Sequence, residues 1–283
     1  MDEIVLDSYA KINLALDILY KRDDGYHELN TIMQQIDLKD RIIIRNRNKG
    51  IHIQCDNKDV PLDENNLVYK AWEKIKEKTG INRGIQITIE KKIPVAAGLA
   101  GGSSNGGAVL KGLNLLWDLK LSDEELMAIG KEIGADVPFT IMGGTAWAKG
   151  IGERLTRLNS FSGKMVLLAN MGIPVSTEWV YKNMDLKSIN KRVDIESLIR
   201  YMEEDDLLSL AKNMENVMEA VVIEKYPQIE RIKEDMIKFG ALGSLMSGSG
   251  PTVFGLFDDE EKLHRCKREL EKKIPNVLVA KTI

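Results

Sequence analysis

Cysteine and histidine are scarce in this chain of 283 residues: two of the first, three of the second, all scattered. Cys55 and Cys266 are far apart, so neither a disulfide framework nor a Cys/His zinc cluster is supported. No apolar run approaches the roughly 20 residues that a membrane span needs. The opening Met-Asp-Glu-Ile-Val-Leu lacks the basic stretch and apolar core of a secretory signal. Charge of one sign is also missing: 40 basic against 43 acidic residues leave −3, no footprint for nucleic acid or an anionic membrane. An anionic substrate must therefore be held by a local site. Neither a Gly-x-x-x-x-Gly-Lys-Ser/Thr run nor a His-Arg-Asp or Asp-Phe-Gly triplet occurs, which argues against the P-loop and protein-kinase folds. With 43% apolar and 29% charged residues, the chain reads as an ordinary cytoplasmic enzyme of one large or two modest domains.

What is abundant, locally, is glycine. Between Pro94 and Gly107 the chain reads Pro-Val-Ala-Ala-Gly-Leu-Ala-Gly-Gly-Ser-Ser-Asn-Gly-Gly. The segment before it, Gly84 to Ile89, alternates like a strand, and Ala108 to Trp117 has apolar residues at helical spacing. A strand, a glycine-rich loop and a helix N-terminus form an anion cradle, with backbone N–H groups and the helix dipole both favouring negative charge. Glycine permits the close approaches that a Cβ blocks. Apolar Val95, Leu99, Val109 and Leu110 argue against a flexible linker, and a phosphate is the expected guest.

The first half is strand-rich, with candidates over Val5–Tyr20, Thr31–Ile36, Arg41–Arg45 and Ile51–Gln54 separated by Gly-containing turns. A helix is expected from about Asn66 to Lys78, and Ser122 with Glu125 forms a capping box. Strands follow over Gly143–Ala148 and Arg154–Leu158. The second half is mostly helical, with short strands at Met165–Ala169, Ala241–Met246, Thr252–Phe257 and Val277–Lys281. Segregated strands and helices predict an α+β fold. A boundary falls near residues 150–162, dividing 1–155 from 156–283.

Several constellations can carry chemistry. Lys11 and Asn13 share one face of an otherwise apolar strand, as either a polar pocket or a solvent-facing edge. Asp136 stands in Gly134-Ala135-Asp136-Val137-Pro138-Phe139, as a helix cap or as a carboxylate that takes or orients a hydroxyl proton. A nearby ammonium would favour its charged form. Asp24-Gly25-Tyr26-His27 is an exposed turn or a recognition site for a flat ring, with Tyr181 as an opposite face. Ser247-Gly248-Ser249-Gly250-Pro251 is a hairpin turn or a second convergence of N–H groups, and two such loops favour a polyphosphate. Met214 and Met218 read as core packing.

Lys11–Asn13, Pro94–Ser104 and Ser247–Pro251 together resemble the GHMP small-molecule kinases, over nearly the whole chain. The resemblance implies two domains: an N-terminal mixed sheet with the glycine-rich loop, a C-terminal α/β sandwich-like domain, and an active site in the cleft between them. It implies an ATP-binding, catalytic part at 1–155 and a substrate-binding part at 156–283. With Asp24–His27 and Gly134–Phe139 added, it implies ATP-dependent phosphorylation of a 2-hydroxyl on a cytidine-diphosphate-linked polyol in isoprenoid precursor synthesis. By the same resemblance Lys11 and Asp136 are the catalytic pair, and Pro94, Val95, Ala96, Ala97, Gly98, Leu99, Ala100, Gly101, Gly102, Ser103 and Ser104 wrap ATP. Asn13, Tyr26, His27 and Tyr181 bind substrate, the two tyrosines bracketing cytosine, and Gly248, Ser249 and Gly250 form the late glycine motif. Mg2+ is expected with ATP, Ser103 or Ser104 being its nearest candidates, and no carboxylate cage is visible. Ala96, Ala97 and Ala100 stand where the family often carries glycine, which should stiffen the loop without removing its donors. The alternatives are a homoserine or mevalonate kinase-like enzyme and a non-catalytic nucleotide-binding module. Mevalonate and homoserine have no base for Tyr26 and His27, and a binding module needs no Asp136.

Overall fold

The computed structural model describes residues 2–189 and 191–283. Contacts divide the chain into two units, neither of them continuous in sequence. One takes the chain to Ala10, Leu38–Val95 and Ala100–Gly143; the other takes Lys11–Asp37, Ala96–Leu99 and Gly144–Ile283. A cut at 155 thus does not describe the compact units, because two long strands and the glycine segment each contribute to both.

In the first unit, parts of β1 (Glu3–Lys21) and β2 (His27–Arg47) join β3 (Ile51–Cys55) and β4 (Gly84–Glu90). Arg41–Arg47 of β2 run antiparallel to β4, and β3 is parallel to β4. One face alternates inward as Ile42, Ile44, Ile85, Ile87 and Ile89, all buried. Over it pack α1 (Leu67–Thr79), α2 (Gly101–Leu116), α3 (Asp123–Ile133) and α4 (Val137–Met142). Asn66 caps α1 through the Val68 N–H, and the reciprocal Ser122/Glu125 capping box starts α3 as expected.

The second unit holds the other parts of β1 and β2, with Leu29–Gln34 antiparallel to β5 (Thr145–Gly150) and β5 antiparallel to β6 (Arg154–Arg157). A further antiparallel sheet includes β7 (Met165–Asn170), to which α5 (Thr177–Asn183), α6 (Ile195–Glu203), α7 (Leu207–Asn213), α8 (Glu219–Lys225) and α9 (Gln228–Lys238) succeed in the chain. Then come β8 (Gly243–Met246), β9 (Val253–Phe257), α10 (Glu260–Leu270) and β10 (Asn276–Lys281), giving the strand order β10-β7-β9-β8. Leu167, Val253 and Phe257 pack there with Ile229, Ile232, Met236, Leu263 and Met218. Cys266 belongs to the same core, and burial pushes its thiol up to about 12, the state of an inert structural cysteine. Among the described residues no helix is long and apolar enough to cross a membrane.

Two elements differ from the sequence reading. The strands expected at 31–36 and 41–45 are one strand, β2: Asp37-Leu38-Lys39-Asp40 offers neither glycine nor proline to turn it. The helix expected from Ala108 begins at Gly101, so Gly101, Gly102, Gly106 and Gly107 are helical. Helical glycine is unfavourable alone, but a Cβ on Gly107 would lie 2.4 Å from the Thr140 Oγ1, so close packing of α4 excludes a side chain there.

Candidate functional site

The polar face of β1 is interior, which removes the solvent-edge reading. Lys11 and Asn13 are 5% and 1% exposed. The Lys11 Nζ donates to the Asn13 Oδ1 at 2.6 Å, and the Asn13 Nδ2 donates to the Thr31 Oγ1 at 2.9 Å. The Thr31 hydroxyl in turn donates to the Ala15 carbonyl. The Lys11 backbone N–H donates to the Leu99 carbonyl at 3.1 Å, which ties the glycine segment to the same strand.

The glycine segment is a short loop followed by a helix. Val95 and Ala96 are exposed, Ala97 and Leu99 are buried, and Pro94, Gly98 and Ala100 lie between. Ala96, Gly98 and Ala100 all take left-handed backbone, with φ of +50°, +73° and +55°. For alanine that conformation costs about 1–2 kcal/mol, so Ala96 and Ala100 hold a shape that glycine would take without strain. No side chain caps α2 and no acid stands in its first turn, so its N-terminal donors and dipole keep the character an anion needs. Gly101, Gly102 and Ser103 lie on that first turn, while the Ser104 hydroxyl donates to the Tyr9 carbonyl at 2.6 Å and is buried as an anchor.

Asp40 secures this segment from both ends. Its carboxylate accepts from the N–H groups of Lys92 and Ile93 at 2.7 and 2.8 Å, just before Pro94. It also accepts from the Lys91 ammonium and, at 2.8 Å, from the Asn105 Nδ2 on α2. Asp40 is fully buried and the Lys91 side chain is 4% exposed. The sequence reading missed both residues: the one signal was an Asp inside a strand whose neighbours alternate.

Asp136 precedes α4 and is half-buried. Its side chain does not cap that helix, so the capping reading does not explain the residue. Its carbonyl accepts from the Thr140 N–H at 3.1 Å, and the Thr140 hydroxyl reaches the Ser103 carbonyl at 3.3 Å. Within this unit, then, the start of α2 and the Asp136 turn are fixed together. Lys11 belongs to the other unit.

The Asp24–His27 turn is braced rather than loose. The Asp24 Oδ1 accepts from the Tyr26 N–H at 3.1 Å, and the Arg22 guanidinium pairs with both Asp24 and the buried Glu28. Tyr26 stands 60% exposed. The ring that meets Tyr181 is that of His27, stacked with centroids 4.7 Å apart and planes 11° from parallel. A base bracketed by Tyr26 and Tyr181 would have to use the other face of Tyr181 or displace His27. Burial, with the Lys21 ammonium adding to it, holds His27 below the ordinary histidine value. A histidine lowered in this way supports the folded state while neutral, and that support fades as pH falls from about 6.5 through the lowered value. His27→Gln has no such titration. The stability advantage of wild type over His27→Gln should therefore shrink between pH 7.5 and 5.5 in parallel thermal melts, and a constant difference would contradict this.

The late glycine turn also braces. The Ser247 N–H donates to the Thr252 carbonyl and the Gly250 N–H to the Ser247 carbonyl, both at 2.9 Å, so two expected anion donors serve the turn itself. The Ser247 hydroxyl donates to the Gly98 carbonyl at 2.9 Å, and the hydroxyls of Ser249 and Thr177 meet at 2.8 Å. A Cβ on Gly98 would lie 2.2 Å from the Ser247 carbonyl oxygen, and one on Gly248 3.3 Å from the Gly98 oxygen. The space at Gly98 excludes a side chain, while Gly248, at φ +56°, favours glycine chiefly through its backbone. Among the described residues no three His, Cys, Asp or Glu side chains form a ready metal cage.

Comparison with known proteins adds family information. Residues 66–144 match the family "GHMP kinases N terminal domain", and residues 198–276 match "GHMP kinases C terminal". A 4-diphosphocytidyl-2-C-methyl-D-erythritol kinase of Acetivibrio thermocellus is 50% identical over 262 residues, 93% of each chain. One of Clostridioides difficile is 49% identical, over 99% of this chain and 95% of the relative. The crystal structure of a 4-(cytidine 5'-diphospho)-2C-methyl-D-erythritol kinase superposes with a TM-score of 0.85 at 30% identity, covering 99% of both chains. A homoserine kinase from Cytophaga hutchinsonii, at 20% identity and a TM-score of 0.79, shares the fold.

Proposed function

The chain belongs to the GHMP kinase family, and from that premise we propose that it phosphorylates the 2-hydroxyl of 4-diphosphocytidyl-2-C-methyl-D-erythritol, using ATP, in isoprenoid precursor synthesis. The observation that carries the choice of acceptor is near-full-length identity of about half to kinases of that name, in Acetivibrio and Clostridioides alike. The site agrees with it chemically. An exposed Tyr26 beside a stacked His27 and Tyr181 offers aromatic faces and a ring nitrogen, which a nucleobase uses and a simple hydroxy acid does not.

In this proposal the acceptor oxygen forms a bond to the γ-phosphorus as the bond to the β-phosphate oxygen breaks, releasing ADP. Asp136 accepts or orients the hydroxyl proton. Lys11, buried and held by Asn13, offsets charge on the transferred group. The donors at the start of α2 and the loop from Pro94 hold the phosphates, while Asn13, Tyr26, His27 and Tyr181 hold the acceptor. Mg2+ characteristically binds together with the substrate phosphates, and Ser103, on the first turn of α2, is the residue that would reach it, since the Ser104 hydroxyl is held by the Tyr9 carbonyl. Bound there, it would neutralise phosphate charge.

Steady-state assays of the purified protein with ATP and each acceptor test the choice. Turnover of the cytidine-linked acceptor is expected to exceed that of mevalonate or homoserine by orders of magnitude. A preference for either small acceptor would overturn it, and no turnover of any would favour a binding module.

A further inference from the structure

Two side chains in the segment leading into α8 hold the residue that precedes the late glycine turn. Asn216 is 2% exposed. Its Nδ2 donates to the carbonyls of Met246 and Gly248, each at 2.8 Å, and its Oδ1 accepts from the Met218 N–H at 3.0 Å. Both amide hydrogens and the amide oxygen are thereby used. Three residues on, at the first residue of α8, the Glu219 Oε1 accepts from the Met246 N–H at 2.7 Å, and its Oε2 accepts from the Lys233 ammonium, also at 2.7 Å. Met246 is therefore gripped at both its backbone groups by side chains three residues apart.

That grip is itself registered on the strand carrying Lys11 and Asn13. The Leu16 N–H donates to the Glu215 carbonyl at 2.9 Å, and the Val217 N–H donates to the Leu16 carbonyl at 3.0 Å. Downstream of Met246, Ser247 holds the Gly98 carbonyl. The adjoining Leu99 carbonyl is held by the Lys11 N–H. Residues 98 and 99 thus hang from β1 by two routes, one direct and one through Asn216, Met246 and Ser247. Gly98 takes left-handed backbone and lies so close to the Ser247 carbonyl that even a Cβ would not fit, which leaves little room to absorb a shift in either route.

We propose that Asn216 and Glu219 are positioning residues for the nucleotide loop: they fix Met246 and, through Ser247, the carbonyl of Gly98. The inference rests on the kinase reading above. Asn216 was silent in the sequence because a polar residue before a helix has the pattern of an ordinary cap.

The test is a split between KM and kcat. Asn216→Ala removes both donors from the turn, and Glu219→Ala removes the acceptor for the Met246 N–H. For either variant, assayed well below its own melting temperature, the KM for ATP is expected to rise about tenfold or more, as for buried groups left unpaired, with kcat within about threefold. Glu219→Gln keeps an oxygen for that N–H and is expected to return the KM to within about threefold of wild type. Glu219, with its side chain 14% exposed, is the milder site should Asn216→Ala fold poorly. A merely structural role lowers the active fraction, and so kcat, while leaving the KM unchanged. Wild-type ATP KM in folded Glu219→Ala would overturn the inference. A wild-type protein that phosphorylates no acceptor would sink the kinase reading, and the inference with it.

Discussion

Asp136→Ala is expected to lower kcat by about 10²–10⁴, the usual contribution of a positioned acid–base group, with the KM for ATP within about twofold. Two structural features survive the substitution. Its side chain does not cap α4, and the bond from the Thr140 N–H runs to its backbone carbonyl, which alanine retains. A variant that still melts cooperatively but turns over slowly is the expected product, read by thermal melts beside the assay. Asp136→Asn divides the two roles available to the carboxylate. An amide can accept a hydrogen bond from the acceptor hydroxyl but is a poor base, so a variant keeping more than a tenth of wild-type kcat assigns Asp136 to orientation. Near-normal turnover in the alanine variant would remove Asp136 from the chemistry.

Asp40→Ala is expected to destabilise the protein by about 3–5 kcal/mol, because it leaves one partner of a buried ion pair uncompensated. The Lys91 ammonium, 4% exposed, would lose its counter-charge, and the N–H groups of Lys92 and Ile93 and the amide of Asn105 would lose their acceptor. Denaturant unfolding with a common m-value reads the difference. The exposed Lys182–Glu178 pair on α5 supplies the contrast, since deleting one member there should leave the unfolding midpoint nearly unchanged. Equal effects at the two sites would contradict the role assigned to Asp40. The same substitution loosens the chain on both sides of the loop from Pro94, so nucleotide affinity should fall along with stability.

Most elements were legible because local chemistry and tertiary structure agree. The alternation of Ile85, Ile87 and Ile89, the Asn66 cap and the Ser122/Glu125 box each specify their element without help from distant residues. Misreadings arose where distant contacts decide. Gly107 looks like loop because glycine disfavours helices, yet Thr140 leaves room for nothing larger, and packing overrides propensity. The interleaved units escaped notice because β1 and β2, at 19 and 21 residues, are long enough to serve both, whereas a boundary sought in sequence presumes a linker.

The candidate site divides along the same line. Lys11, Asp136, the loop from Pro94 and the Tyr26–His27 turn are marked by unusual residue types in short, dense motifs. The residues that hold them, among them Asp40 and Thr31, are single polar positions tens of residues away or inside unremarkable strands. Their meaning lies in hydrogen bonds that no spacing records. The stacking of His27 on Tyr181 is of this kind too, since the two rings are separated by most of the chain.

The most direct measurement is the identity of the product. Purified protein incubated with ATP, Mg2+ and 4-diphosphocytidyl-2-C-methyl-D-erythritol should yield ADP and one new phosphomonoester on the 2-hydroxyl, seen by 31P NMR with the acceptor's own diphosphate unchanged. ADP formed only when mevalonate or homoserine replaces that acceptor, or a phosphate placed on any other hydroxyl, would contradict the proposed function.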